Sequence, residues 1–258
     1  MDLRDAPAFY PDLRRRRPIY LSGVECQATR DLESDGYDVG LLCQPRSHLE
    51  NKAPRYRVWA ADNGCFAKGE SFDPDEWMAW VRSLPGAGAV RFGNAGAAYE
   101  SRLFCSEDAA LEPFGCLFVV APDVVGDAEA TWRRCEPWLE RVRRAGFPVA
   151  VVAQDGAEAH VALWDEQERW DALFLGGTTQ WKLSSAARDC VREAHLYGKW
   201  AHMGRVNSLR RLRVAAAWDL DSVDGTFLAF GPAVNGERLR SFLDCIAGEA
   251  AAGQLFAA

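Results

Sequence analysis

Short apolar runs alternate along this chain with longer amphipathic segments, and this alternation restricts the fold more than any other feature of the sequence. Short apolar runs bounded by turn residues fit buried strands, and strands that alternate with helices indicate βαβ units. The eight predicted strands are Ile19–Val24, Val39–Cys43, Arg57–Ala61, Leu117–Ala121, Val149–Ala153, Ala172–Leu175, Trp200–Met203 and Ser222–Val223. Eight such units favour an α/β fold with a single (β/α)8 barrel, for which about 250 residues are typical.

Helix signals lie between these strands. Asp73 precedes Pro74 as an N-cap would, and Gly146 and Gly198 stand where C-terminal glycines are expected. The predicted helices are Pro74–Leu84, Ala128–Ala145, Ser184–Tyr197, Ser208–Trp218 and Arg238–Ala251. We expect a flexible N-terminal arm over 1–17, one barrel domain over 18–250 and a loose tail over 251–258. The irregular stretch 86–115 leaves room for active-site loops.

Composition narrows the class of protein. Of the 258 residues 48% are hydrophobic, and the net charge is −7. No apolar run approaches the roughly 18 residues of a membrane span, and the N-terminus lacks the apolar segment of a secretory signal. The eight cysteines form no CxxC pair, which predicts reduced thiols and no zinc site. We therefore expect a soluble cytoplasmic protein that does not act at a membrane.

Arginine is unusually frequent among the basic residues. The chain has four lysines, so 26 of its 30 basic residues are arginines. Local arginine clusters bind phosphate well, although a GC-rich genome would produce the same excess. The candidate clusters are Arg14–Arg17, Arg133 and Arg134, Arg141 with Arg143 and Arg144, and Arg205 with Arg210, Arg211 and Arg213. The acidic net charge argues against a protein that coats DNA without specificity.

Polar residues follow six successive predicted strands, where barrel enzymes carry their chemistry. They are Asp62, Asp123, Gln154, Gly176 with Gly177, Arg205 and Asp224. Two carboxylates can act as nucleophile and general acid/base at an anomeric carbon, while an Asp with a Gln can read the edge of a guanine. Each Asp taken alone also fits a helix cap or a turn. His202, on a strand, fits a core or supporting position, and the four histidines are too scattered for a metal site.

These motifs, in this order, resemble those of the tRNA-guanine transglycosylases, TIM barrels that exchange guanine for a 7-deazaguanine. The similar segments are Asp62–Phe66, the base-reading Asp123, Gln154, the turn Gly176–Gly177, the segment His202–Val206, and Val223–Gly225 around the nucleophile of that family. Two features differ. The zinc-binding cysteine cluster that follows the nucleophile in the tRNA enzymes has no counterpart, since Cys245 is the sole cysteine after Asp224, and Gly225-Thr226-Phe227 replaces their P-T-R continuation. Both differences point to the short phage-type enzymes that modify DNA.

The resemblance implies a pentosyltransferase without cofactor or metal. Its expected partners are DNA rather than tRNA and a free 7-deazaguanine base, and a homodimer is compatible with the family. Asp224 would be the nucleophile and Asp62 the general acid/base, both catalytic. The substrate-binding residues would be Asp123, Gln154, Gly176, Gly177, Thr178 and Phe66, with the Gly177 N–H and Gln154 on O6, and Arg205 and Arg210 would contact nucleic acid. Phe66 and Trp181 could sandwich the base, with core packing as the alternative.

Three other functions remain open at this stage. The protein could act on tRNA, serve as a catalytically silent subunit or binding module, or hydrolyse N- or O-glycosides with the same two carboxylates. Retention of both Asp62 and Asp224 argues against the silent subunit.

Overall fold

A computed structural model describes residues 17–86 and 115–252 of the chain. Most of the expected arm and tail, the candidate loop segment 87–114 and Cys105 therefore lie outside the described residues. Ala251, which opens the expected tail, is still the last residue of a helix. In the described part of the chain, no helix is both long enough and apolar enough to cross a membrane.

Eight parallel strands close into a barrel in which each strand pairs with its neighbours in sequence and β8 pairs with β1. The predicted (β/α)8 fold is confirmed. The strands are β1 Ile19–Ser22, β2 Val39–Cys43, β3 Val58–Ala61, β4 Gly115–Val120, β5 Val149–Ala153, β6 Ala172–Leu175, β7 Trp200–Met203 and β8 Ser222–Gly225. They match the eight predicted strands to within two residues at each end.

Helices follow the strands around the outside. The α-helices are α1 Gln27–Ser34, α2 Cys65–Lys68, α3 Pro74–Ser83, α4 Ala128–Arg144, α5 Val161–Asp165, α6 Thr179–Lys182, α7 Ser185–Leu196, α8 Leu209–Ala217 and α9 Pro232–Ala251. Short 3₁₀ turns cover Leu49–Asn51, Ala53–Arg55, Gly69–Ser71, Ala157–Ala159, Gln167–Arg169 and Phe227–Ala229. The predicted caps are present, since the Asp73 side chain accepts from two backbone N–H groups of α3, and Gly146 has the positive φ of 98° expected after a helix.

The start of the last helix was predicted wrongly. The helix begins at Pro232 rather than Arg238, directly after Gly231, whose φ is 74°. Gly231, Pro232 and Gly236 lie close together, and such residues usually interrupt a helix. Proline, however, is favoured at the first helical position. Gly236 is needed because a Cβ there would lie 2.8 Å from the Cβ of Ala28. Helix α1, which Ala28 belongs to, was not predicted.

The strands separate two apolar clusters. One fills the barrel and contains Ile19, Leu21, Leu42, Val58, Ala60, Leu117, Phe118, Val120, Ala150, Val152, Ala172, Trp200 and, partly buried, Phe174. The other packs between the strands and the helices. Because side chains alternate along a strand, the next inward position after Ala60 is Asp62 and the next after Val152 is Gln154. By the same rule Asp224 follows the inward Ser222. The alternation thus brings three of the predicted site residues to one mouth of the barrel.

Candidate active site

Three carboxylates share the C-terminal mouth of the barrel. Asp123 and Asp224 are each 8% exposed, and the negative charges of both act on Asp62. Among the described residues, no group of three His, Cys, Asp or Glu side chains is arranged to hold a metal ion. The negative charges of Asp123 and Asp224 act on Asp62, and coupling of this kind pushes the pKa values of neighbouring carboxyl groups apart.

Asp224 is held by two donors. Its Oδ2 lies 3.1 Å from Nε2 of His202, and its Oδ1 accepts from the backbone N–H of Arg205 at 3.2 Å. Arg205 has a φ of 60°, a left-handed conformation that is uncommon for a residue with a side chain. That conformation accompanies the N–H bond to the carboxylate. The site thus fixes both oxygens of Asp224 from the neighbouring strand β7 and its loop.

A buried chain of hydrogen bonds orients His202. The indole N–H of Trp200 donates to Oγ of Ser222 at 2.8 Å, and Oγ of Ser222 lies 2.8 Å from Nδ1 of His202. An indole only donates, so the Ser222 hydroxyl is free to donate its own proton to Nδ1. Nε2 of His202 then carries the proton that points at Asp224. Burial also lowers the pKa of His202, which favours the neutral form of the imidazole. His202 is therefore the supporting residue that its place on a strand suggested.

Asp62 has the titration range of a general acid/base. Its Oδ2 accepts from Nε2 of Gln44 at 3.0 Å and its Oδ1 from the backbone N–H of Asn63 at 2.8 Å. Burial, and after it the charges of Asp224 and Asp123, raise the pKa of Asp62 to about 7. A carboxyl that titrates near neutral pH can both give and take a proton under working conditions.

Asp123 and Gln154 form a bonded pair. Nε2 of Gln154 donates to Oδ2 of Asp123 at 2.6 Å, and Nδ2 of Asn63 donates to Oδ1 at 3.0 Å. Gln154 is 2% exposed and Asn63 is also buried. Burial raises the pKa of Asp123. A carboxylate oxygen accepts more than one hydrogen bond, so Asp123 retains capacity for a ligand N–H.

The Gly177 N–H, which was expected to bind O6 of a base, donates to another residue of the protein instead. It donates to Oε1 of Gln154 at 2.8 Å, and the same oxygen accepts from the N–H of Gly126 at 2.9 Å. The amide oxygen of Gln154 is thereby used by the backbone, which fixes the side chain with its NH₂ group toward Asp123. The remaining N–H of that NH₂ group is the donor that Gln154 offers to a ligand.

Two glycines let the site pack this closely. A Cβ on Gly176 would lie 2.5 Å from Val152 and 2.8 Å from Nε2 of Gln154. A Cβ on Gly204 would lie 2.7 Å from the Phe174 ring and 3.2 Å from Oδ2 of Asp224. Gly176 thus makes room for the amide of Gln154, a packing role that was not predicted for it.

Thr178 and Trp181 have structural partners. The Thr178 hydroxyl donates to Oδ2 of Asp155 at 2.7 Å. It also accepts from the N–H of Trp181, so Thr178 caps the N-terminus of helix α6. Trp181 is 9% exposed and its indole donates to Glu158. Core packing, the alternative given for Trp181, is what the structure contains, and a role for Thr178 at a ligand stays a prediction.

Phe66 and Arg205 meet at the mouth. Phe66 is 69% exposed, and the guanidinium carbon of Arg205 lies 5.0 Å from the centroid of its ring. Phe66 lies in α2, which follows β3, and Arg205 lies in the loop after β7. These two strands are four apart in the closed barrel and hence on opposite sides of it. Arg205 also donates to the carbonyl of Gly177 at 3.1 Å. Phe66 is therefore not part of the hydrophobic core. Arg210, the other residue expected to contact nucleic acid, is exposed on the first turn of α8.

Sequence reasoning missed several residues of the site. Gln44, Asn63, Ser222 and Trp200 support the carboxylates, and a lysine described below lies beside Asp224. Strand alternation places Ser222 and Trp200 inside the barrel with His202, so that signal was present. Gln44 is the polar residue directly after β2, so the pattern of polar residues at strand ends also predicts a place for it at the mouth.

The chain matches no protein-family model, and no curated protein matches its sequence.

Proposed function

We propose that this protein is a base-exchange transglycosylase that replaces guanine in DNA with a 7-deazaguanine through a covalent intermediate on Asp224. The observation that supports this most is the pair of unlike carboxylates in one mouth. Asp224 is fixed by two donors, and Asp62 has a pKa of about 7. Glycosyl transfer requires two carboxyl groups, one that attacks the sugar carbon and one that carries a proton.

The first half of the reaction uses both groups. A guanine flipped from the duplex enters the mouth, because its sugar cannot be reached inside the stack. Oδ of Asp224 attacks C1′ and the bond from C1′ to N9 breaks. Asp62 donates its proton to the departing guanine, which leaves an ester between Asp224 and the sugar. No metal or redox partner is required for this balance.

The second half reverses these steps with a different base. A 7-deazaguanine has the same hydrogen-bonding edge as guanine and binds the same groups. Its N9 proton passes to Asp62, N9 attacks C1′, and Asp224 leaves as a carboxylate. Asp62 is then protonated again for the next cycle, as microscopic reversibility demands.

Recognition of the base falls to Asp123 and Gln154. The carboxylate of Asp123 accepts from N1–H and the N2 amine, and the remaining N–H of Gln154 donates to O6. These two side chains are already bonded to each other at 2.6 Å, so the reading edge is assembled before a base arrives. Preorganised groups of this kind reduce the cost of ordering on binding.

Nucleic acid would cross the rim where Phe66 and Arg205 meet. An exposed aromatic ring stacks with bases and an exposed arginine contacts phosphate, which is the combination found on single-strand binding surfaces. The DNA assignment rests on the resemblance to the transglycosylases and is supported by Gly225-Thr226-Phe227, which differs from the P-T-R continuation of the tRNA enzymes.

A label-exchange assay tests the proposal. Wild type and Asp224→Asn are incubated with radiolabelled guanine and either double-stranded DNA or unmodified tRNA. Label that enters DNA with wild type alone supports the proposal. Label in tRNA alone keeps the chemistry and overturns the DNA assignment, whereas free base released without incorporation indicates a hydrolase. A folded wild type that does neither overturns the proposed function.

A further inference from the structure

Lys182 is a buried cation that the proposed reaction does not yet use. It is 5% exposed, at the end of the short helix α6, and its Nζ donates to the carbonyl oxygen of Gly204 at 2.8 Å. Isolated buried charges are costly unless opposite charge compensates them. A single carbonyl acceptor is weak compensation, so a second interaction is needed to account for a lysine at this place.

Asp224 is the acidic residue whose negative charge favours the ammonium form of Lys182. The charged groups that act on Lys182 are Asp224, which favours the ammonium form, and Arg205 and Arg211, which oppose it. Gly204, which accepts from Lys182, also lies against Asp224, since a Cβ there would be 3.2 Å from Oδ2. The ammonium group and the carboxylate thus flank the same residue at the end of β7.

The choice of lysine is notable in a chain that uses arginine almost everywhere. Only four of 30 basic residues are lysines. A compact ammonium fits against one carbonyl oxygen, whereas a guanidinium needs several acceptors in a plane. Burial, and after it the charge of Arg205, lower the pKa of Lys182 to about 8. Its charge therefore depends on the neighbouring carboxylate.

We propose that Lys182 is a positioning residue that assigns the roles of the two carboxylates: its ammonium group is the positive charge beside Asp224, the proposed nucleophile, whereas the charges that act on Asp62, the proposed acid, are negative. Three carboxylates in one mouth cannot all carry charge at low cost. The charges that act on Asp62 are the two other carboxylates, which favour its protonated form, whereas Asp224 has Lys182 beside it. This asymmetry assigns nucleophile and acid. The inference rests on the proposed function for its meaning, but the charge coupling itself is measurable without substrate.

The first test is an NMR titration of the free protein labelled with ¹³Cε-lysine. Four lysines give a simple spectrum, and the Lys182 signal is assigned by its loss in Lys182→Arg. Asp224→Asn should move the titration of Lys182 to lower pH. Lys199 is the matched control, because its Nζ also donates to a carbonyl, that of Trp170, at 2.8 Å, but at the opposite end of the barrel. An unchanged Lys182 titration, or an equal shift of Lys199, overturns the inference even if base exchange is found.

The second test is the pH profile of base exchange. Lys182→Met should move the acid limb of kcat/KM toward higher pH by about one unit, the size of effect that a nearby opposite charge produces. Lys182→Arg keeps the positive charge and should leave the limb where it is in wild type. A slower Lys182→Met enzyme with an unmoved limb would mean a structural role and would refute the inference. Absence of exchange by wild type refutes the proposed function instead, and the NMR titration still decides the coupling.

Discussion

Replacing His202 by phenylalanine tests how Asp224, the proposed nucleophile, is held. His202 is fully buried between Phe118 and Phe174, with ring centroids 5.2 and 4.5 Å away, so an aromatic ring of similar size should be accommodated. The substitution removes the Nε2–H bond to Asp224 and leaves the Ser222 hydroxyl without its nitrogen acceptor. The backbone N–H of Arg205 would remain as a donor to Asp224.

The magnitude follows from the bonds that are lost. A hydrogen bond to a charged acceptor contributes about 1.5–3 kcal/mol to stability. For a chain of this size about 1 kcal/mol corresponds to roughly 2–4 °C in Tm, so we expect Tm to fall by roughly 3–12 °C. Loss of orientation by about 1 Å at a reacting group costs about 100-fold in rate, and base exchange should fall by about that factor.

A second histidine supplies the control. Nε2 of His195 lies 3.2 Å from Oδ2 of Asp221, next to the N-terminal end of β8 and far from the mouth. His195→Phe therefore removes a similar histidine–aspartate contact and should also lower Tm, yet leave exchange within about twofold of wild type, the range of context effects on a remote site. His202→Gln retains one donor and one acceptor and should lose less activity than His202→Phe. Equal exchange by His202→Phe and His195→Phe, both folded, would refute the orienting role of His202.

Three further predictions concern the mouth. Because burial and neighbouring charge raise the pKa of Asp62 from 3.8 to about 7, the contribution of Asp62 to the stability of the folded protein falls as pH rises through this interval. Asp62→Asn should therefore gain stability relative to wild type between pH 4 and pH 8 in denaturant unfolding. A wild type and variant that differ equally at both pH values would contradict this. Gly204→Ala should disturb Phe174 and Asp224 and reduce exchange, whereas Gly248→Ala, in open space on a helix, should raise stability by about 1 kcal/mol and leave exchange unchanged. Arg205→Ala should make DNA binding less dependent on salt, and an unchanged slope against salt concentration would exclude a phosphate contact.

Much of this architecture follows from local sequence pattern. The strands of the barrel are short and apolar on both faces, as expected for parallel strands buried on both sides, and turn residues mark their ends. That pattern was enough to predict all eight strands and to bring Asp62, Gln154 and Asp224 to one rim. The helices with standard caps, such as the one that Asp73 begins, were predicted for the same reason.

Two of the residues that sequence reasoning missed, Asn63 and Lys182, depend on contacts between segments that are far apart in the sequence. Asn63 lies against Asp123, which is 60 positions away, and Lys182 contacts Gly204, which is 22 positions away. No local sequence pattern predicts such a contact. The Gly177 N–H was assigned to a ligand, but Gln154 competes for it more effectively within the fold. Helix α9 was predicted to start too late for a related reason. Gly236 has a weak helix propensity, but packing against Ala28 requires a glycine at this position of the helix.

The central claim is that Asp224 becomes covalently attached to the sugar, and intact-protein mass spectrometry tests it most directly. Wild type and Asp224→Asn are incubated with a guanine-containing DNA oligonucleotide, without any incoming base, and are denatured before measurement. The mechanism predicts that wild type gains the mass of the oligonucleotide less one guanine, that added guanine reverses the adduct, and that Asp224→Asn forms none. An adduct of the same mass on Asp224→Asn, or base exchange by wild type with no adduct under any condition, would contradict the assignment of Asp224 as the nucleophile.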